Sequence, residues 1–241
     1  MNKIWIITKR ELSSYFDSLM AYIVIVIFLS LSGLFTWLYG SSDIFIRNVA
    51  SLDAFFGVAY WTLFIFIPAL TMKQIAEEIK TGTIELLLTK PVTDWQVIVG
   101  KFLSTFLLVI ISLALTIPYY ITIANIGPVD HGSVITGYLG LILMSAAYIS
   151  IGIFASSITS NQIVAFLLAL IIGIFFQILF GLLAVAFGGS VGDIFYYLDL
   201  KGHYDSITRG VIDSKDLIYF ISIVIAGMLA SEVALVKRNL N

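Results

Sequence analysis

Long stretches without a formal charge are the feature that most limits how this chain can fold. Leu19 to Gly40 carries none, Ala54 to Met72 fits between Asp53 and Lys73, and Phe102 to Ala124 fits between Lys101 and Asp130. From His131 to Gly192 no residue is formally charged when histidine is neutral, and the polar run Ser156, Ser157, Thr159, Ser160, Asn161, Gln162 divides that stretch in two. Each piece is about 20 residues long, enough for a helix to cross a hydrocarbon core about 30 Å thick. In lipid every backbone polar group must be bonded within the chain, so such pieces are helices. The sequence predicts spans at about 19–40, 54–72, 102–124, 134–157, 163–187 and 217–236, with Glu232 close enough to an end of the last for its carboxylate to reach the interface. The expected fold class is therefore all-α and polytopic, one transmembrane domain over residues 1–241. A chain that is 60% hydrophobic and 12% charged takes lipid as its solvent. The absence of cysteine excludes disulfides, thiolate metal sites and cysteine nucleophiles.

Lys9 and Arg10 precede the first apolar stretch as they would in a signal peptide, but that stretch is too long and lacks an A-x-A-like site, so it reads as a retained span. Over residues 3–17 a helical wheel puts Ile4, Trp5, Leu12, Tyr15 and Phe16 on one arc and Lys3, Lys9, Arg10, Ser13 and Asp17 on the other, the pattern of a helix lying along the membrane surface. Six spans place both termini on one side. That side holds Lys3, Lys9, Arg10, Lys73, Lys80, Lys90, Lys101, Lys237 and Arg238, against Arg47, Lys201, Arg209 and Lys215 on the other. The asymmetry predicts cytoplasmic termini. Two long loops follow: residues 73–101 inside and 188–216 outside.

Membrane enzymes and ion-coupled carriers need ionisable groups converging at depth, and no such group is visible at the middle of any span. Nucleotide is not held here either. The phosphate-cradling G-x-x-x-x-G-K-[ST] loop is missing, since Gly100-Lys101 is followed by Phe102 and lacks the upstream glycine.

The cytoplasmic loop is the most informative segment. It begins as a helix continuing the second span; Gly82 can take the positive φ that ends it, Thr83 can cap a short helix running to Leu88, and Pro91 ends that one. On periodicity alone this is a solvated loop or a docking element. The run Glu78, Gly82-Thr83, Glu85-Leu86-Leu87, Pro91-Val92 and Gly100-Lys101 resembles the signature of type-2 ABC exporter permeases, in which this loop contains the coupling helix. The chain is similar to that family end to end, and Gly202 to Asp213 leading into Leu217-Ile-Tyr-Phe is similar to permeases of gliding-motility and copper-site maturation systems. The resemblance to the gliding-motility subgroup is the nearer of the two.

What the resemblance implies is a permease subunit in the bacterial inner membrane, not catalytic by itself and binding no cofactor. ATP and magnesium would sit on a separate cytoplasmic ATPase, contacted through Glu77, Glu78, Gly82, Thr83, Glu85, Leu86, Leu87 and Pro91. A second permease half, identical or paralogous, completes the usual twelve spans. The gliding subgroup adds a membrane-anchored periplasmic auxiliary, and nucleic acid plays no part. The alternative within the same superfamily is a subunit that drives periplasmic machinery without moving a substrate. A membrane enzyme and a passive scaffold are the remaining rivals.

Three further features qualify this reading. In the fifth span Ala165, Ala169, Gly173, Gln177 and Gly181 form a stripe of mostly small residues four apart, read either as packing between spans of one chain or as a dimer seam or pathway wall. Pro68 and Pro118 each remove a backbone hydrogen bond, which predicts kinks in the second and third spans. Asp193, Asp199, His203 and Asp205 match no metal-ligand spacing and read as solvated loop residues, while Phe195, Tyr196 and Tyr197 fit a short helix at the outer interface.

Overall fold

A computed structural model describes residues 3–38, 50–83 and 92–239. Among them every regular element is helical, and six helices are long and apolar enough to cross a membrane: 20–37, 53–81, 94–126, 131–157, 162–187 and 214–237.

Ahead of the first span lies α1 (Lys3–Asp17), whose polar arc is exposed as expected. Its buried face is turned from the predicted one. Ile7, Thr8 and Tyr15 face the bundle, while Trp5 stands 52% exposed on the side left for lipid. Between α1 and α2 (Met20–Trp37) sits Leu19 in the left-handed region, φ 60°, which turns the chain sharply. In α2 only Ala21, Phe28, Ser32 and Thr36 are buried, so a single narrow seam meets the rest of the chain.

The second span begins as α3 (Asp53–Thr71), which runs unbroken through Pro68. A turn at 72–75 then separates it from α4 (Ala76–Thr81), where the sequence suggested one continuous helix. The third span starts at α5 (Asp94–Ala114), earlier than the charge-free stretch that announced it. A reciprocal cap fixes that start, the Thr93 hydroxyl accepting from Gln96 N–H and the Gln96 carboxamide oxygen accepting from Thr93 N–H, both at 3.3 Å. As the expected kink at Pro118 foreshadowed, the helix breaks at Leu115 and Thr116 and resumes as α6 (Ile117–Ile126) with the proline in its first turn, where a missing N–H costs nothing.

The centre of the bundle is α7 (His131–Ser157), capped by Asp130 and packed against α3, α5 and the helices of spans five and six. It is buried over 78% of its apolar window, against 28%, 22% and 17% for spans one, five and six, which therefore leave most of their surface to lipid or to other chains. Small residues permit this crowding: a Cβ at Gly227 would fall 2.7 Å from Ser150 Oγ, and at Gly140 3.1 Å from the Tyr204 ring.

The fifth span is α8 (Gln162–Ile174), one π-helical turn (Phe175–Leu179) and α9 (Phe180–Phe187). Gly188 and Gly189, at φ 56° and 54°, reverse the chain. Helix α10 (Gly189–Leu198) then folds back along α9, Phe195 stacking on Phe180 and Phe187 and Gly192 lying against the Ala184 carbonyl. Next come α11 (Leu200–Ile207), capped by Asp199, and the sixth span, α12 (Ser214–Asn239).

Candidate functional site

The stem of the loop after span two is held from three sides. At the turn, the Ser156 hydroxyl of α7 accepts from Ile75 N–H (3.1 Å) and Ala76 N–H (2.9 Å) and is 3.1 Å from the Met72 carbonyl. First-turn N–H groups have no partner within their own helix, so a side chain from another span does here what a local cap would do. At the far end Gly82 closes α4 with φ 70°, the left-handed value the sequence suggested, and Gly82 N–H reaches Ile79 O at 3.3 Å.

Behind the stem lies a cluster of charges. Lys101 is 1% exposed; its ammonium donates to the Gln74 carbonyl (2.7 Å) and Glu78 Oε1 (2.8 Å) and stands 3.5 Å from Glu11 Oε2. Arg10 binds Glu11 at 2.6 Å and approaches Glu78 to 3.9 Å. Beneath it, Gln74 Nε2 donates to Tyr15 Oη and to the Lys101 carbonyl, both at 3.0 Å, and Tyr15 Oη lies 3.0 Å from the Leu70 carbonyl. Thr8 Oγ1 donates to the Gly100 carbonyl at 3.2 Å, where a Cβ on Gly100 would be 2.6 Å from Ile7. Three elements meet in this cluster: α1, the α3–α4 stem and α5.

The electrostatics follow from the geometry. Burial alone would push the Glu11 carboxyl up, but the Lys101 ammonium beside it and the hydrogen bond from Arg10 outweigh that and hold it below its ordinary range. Burial pushes the Tyr15 phenol up, which keeps it a neutral donor. A buried cation with two carboxylates and a carbonyl resists separation, since removing one partner of such a pair costs about 3–5 kcal/mol.

Of the loop residues expected to meet an ATPase, Glu77, Gly82 and Thr83 are exposed. Thr83 Oγ1 lies 2.9 Å from Thr81 Oγ1. Glu78 differs from that expectation, because its carboxylate turns inward to Lys101. Glu85, Leu86, Leu87 and Pro91 lie outside the described residues.

The fifth-span stripe makes its contacts within the chain. Ala165, Ala169 and Gly173 are buried, and a Cβ at Gly173 would stand 2.8 Å from Phe64 of α3 and 3.3 Å from Tyr148 of α7. Gln177, in the π turn, accepts a hydrogen bond from Tyr148 Oη, and Gly181 faces the Asp199 carboxylate. These are the contacts of the packing reading. The opposite face, with Ile163, Leu167 and Ile171, is the exposed one.

One expectation is corrected. His203 and Asp199 are buried rather than solvated, and His203 is paired with Asp216, which composition gave no reason to single out. Among the described residues no group of three acidic, histidine or cysteine side chains is placed to hold a metal. Nothing in the sequence singled out Gln74 or Thr105, whose hydroxyl lies 3.1 Å from Tyr15 Oη, and its pattern placed Tyr15 on a membrane-facing arc and Ser156 in a polar divider between spans rather than in these contacts. Lys101 reads in the sequence only as a cytoplasmic charge bounding an apolar run, and its burial beside Glu11 and Glu78 was not foreseen.

Residues 42–209, more than two thirds of the chain, match the model of the family described as ABC-2 family transporter protein. The match takes in Gln74, Glu78, Lys101 and the whole fifth span. No curated protein matches the sequence.

Proposed function

Because the chain belongs to the ABC-2 transporter family, and so is a multi-pass permease subunit that works with a separate ATPase, we propose that its 72–91 segment is the coupling element through which that ATPase drives the spans. The observation that carries this reading is the Lys101 cluster. Charged groups are costly to bury, and here several of them are gathered where the stem, α1 and α5 meet, so a displacement of the stem displaces all three.

In this reading Glu77, Gly82, Thr83, Glu85, Leu86, Leu87 and Pro91 form the docking side and Glu78 with Lys101 the transmitting side. ATP and magnesium are bound by the ATPase. The termini face the cytoplasm of a bacterial cell, as the Lys/Arg asymmetry favours. A second permease half packs against the lipid-facing spans, and the loop and C-terminal sequence patterns favour a gliding-motility or secretion system with a periplasmic auxiliary.

The test uses complexes reconstituted with the partner ATPase. Glu85→Lys reverses a docking charge and should reduce ATPase recruitment while leaving insertion intact. Gly82→Val should misdirect the docking side through its backbone, because a Cβ at Gly82 meets no described residue within 4 Å while the left-handed backbone costs about 1–2 kcal/mol for a side-chain-bearing residue. Wild-type recruitment and turnover in both variants would overturn the assignment.

A further inference from the structure

At the end of the bundle away from the termini, one histidine fastens the external helices to the head of span six. His203 Nδ1 of α11 lies 2.6 Å from Asp216 Oδ1 of α12, and Nε2 lies 3.1 Å from the carbonyl of Tyr197 at the end of α10. The ring stacks on Tyr219, centroids 4.0 Å apart and planes 19° from parallel, and Tyr219 Oη donates to the Leu198 carbonyl at 2.6 Å. His203 is 7% exposed and Asp216 is fully buried.

The hydrogen-bond chemistry of this arrangement fixes its protons. A backbone carbonyl only accepts, so Nε2 carries a hydrogen. A carboxyl oxygen 2.6 Å from Nδ1 requires a second hydrogen between those two atoms, whichever of them holds it. The closed pair is then neutral overall, either imidazolium with carboxylate or imidazole with carboxylic acid. Taking one proton away leaves a net negative charge in a buried site and turns one ring nitrogen's lone pair toward an oxygen. Neither is tolerated cheaply in a buried place. Asp216 Oδ2 has no hydrogen-bond partner among the described residues, and the Lys215 ammonium acts on Asp216 only through space, from the rim of the same cavity.

We propose that His203 and Asp216 form a proton-operated latch that holds the α10–α11 segment on the head of span six while protonated and releases it on losing a proton.

The neighbours leave the control with this pair. Lys201 pairs with Asp205 along α11, and Lys215 pairs with Asp213 at 3.1 Å on the exposed start of α12. Asp199 is committed to capping α11 through Gly202 N–H, and burial pushes its carboxyl up toward the neutral form. From α10 come Tyr196 and Tyr197, and Tyr204 of α11 stacks on Tyr60 of α3. The ionisable side chains of α7 are His131, bonded to Tyr120, and two tyrosines; the π turn contributes the neutral Gln177. A cavity of about 90 Å³ lined by Tyr196, Gly202, Ser206, Lys215 and the pair itself gives water a way to it.

The latch is independent of the coupling role. The chain has two histidines and no cysteine, which makes it directly testable. In full-length His131→Gln protein in lipid nanodiscs, the remaining imidazole's nitrogen-15 resonances report its protons. A cysteine at Ser206, labelled in parallel with a control cysteine at exposed Asp193, reports opening, the ratio cancelling the thiol's own pH dependence. As the pH is raised, the Ser206 to Asp193 labelling ratio should rise about tenfold, in step with the change in the ring's nitrogen-15 resonances. In Asp216→Asn and in His203→Gln, which cannot carry the shared proton, the ratio should stay flat. A ratio that follows pH alike in all three proteins, or a ring that is singly protonated at about pH 6 in a closed segment, would overturn the proposal.

Discussion

Lys101→Met removes the charge at the centre of the stem cluster while keeping a side chain of similar apolar length. The ammonium has three acceptors: Gln74 O at 2.7 Å, Glu78 Oε1 at 2.8 Å and Glu11 Oε2 at 3.5 Å. Without it two carboxylates face each other and a buried carbonyl loses its donor. Breaking a buried pair by deleting one partner costs about 3–5 kcal/mol, but Glu11 and Glu78 keep 17% and 19% of their side-chain exposure and can turn toward water, which lowers the expected loss to about 2–3 kcal/mol. Glu78→Gln should cost less, since Lys101 retains Gln74 O and Glu11. The double variant should be less destabilised than the sum of the singles, with a coupling of about 1.5–3 kcal/mol for a charge-assisted hydrogen bond. Equilibrium denaturation of the four proteins in matched detergent measures the cycle. In the reconstituted complex, Lys101→Met should still recruit the ATPase, because the lysine lies behind the docking side, yet uncouple its turnover from movement of the spans. A single-variant effect within about 0.5 kcal/mol of wild type, or strict additivity, would refute the reasoning.

Gly173→Leu should destabilise the chain by about 1–3 kcal/mol through overpacking against Phe64 and Tyr148, whereas Ile171→Leu on the exposed face of the same helix should be neutral, as read by thermal unfolding of each variant. Glu11 supplies a pH prediction, its carboxyl being held lower in the folded chain than in the unfolded one. Its contribution is present above the ordinary value of 4.5 and is lost as the pH falls through the depressed folded value, so the stability advantage of wild type over Glu11→Gln should be full at about pH 6 and vanish on acidification.

The parts of this fold that could be read in advance are those fixed by composition over about 20 residues. Charge-free length gives the spans because lipid penalises anything else. Gly82 and Pro118 were legible for a local reason, the one free to take a left-handed φ and the other lacking an N–H, and both stand where helices end or break. Side-chain partners between distant segments were not legible. Ser156 serves Ile75 and Ala76, some eighty positions earlier, and nothing in a serine among serines announces that duty. Lys101 was counted as a surface charge because a lysine bounding an apolar run is normally exposed, and its burial is decided by Glu11 and Glu78 arriving from other elements. The π turn at 175–179 shows the same limit: the lone Gln177 in an apolar run marks the place, but Tyr148 on α7 decides which way it faces.

The two polar clusters sit at opposite ends of one rod. At one end of α7 Ser156 grips the turn of the stem, and at the other Ser133 Oγ donates to Thr208 O at 3.1 Å while Gly140 lies against Tyr204 of α11. Between these ends α7 is packed on several sides through glycines and serines that leave no room for a neighbour to shift alone: Gly137 on Phe56, Gly152 on Thr71, Ser150 on Gly227. Close-packed interiors of this kind move as units rather than deform. Departures from α-helical backbone lie outside α7: the 72–75 turn, the break at Leu115 and Thr116, and the π turn at 175–179. If the stem is the coupling element proposed above, its displacement would enter α7 through Ser156, and α7, as the packed rod between the two ends, is the route by which it would reach α10–α11.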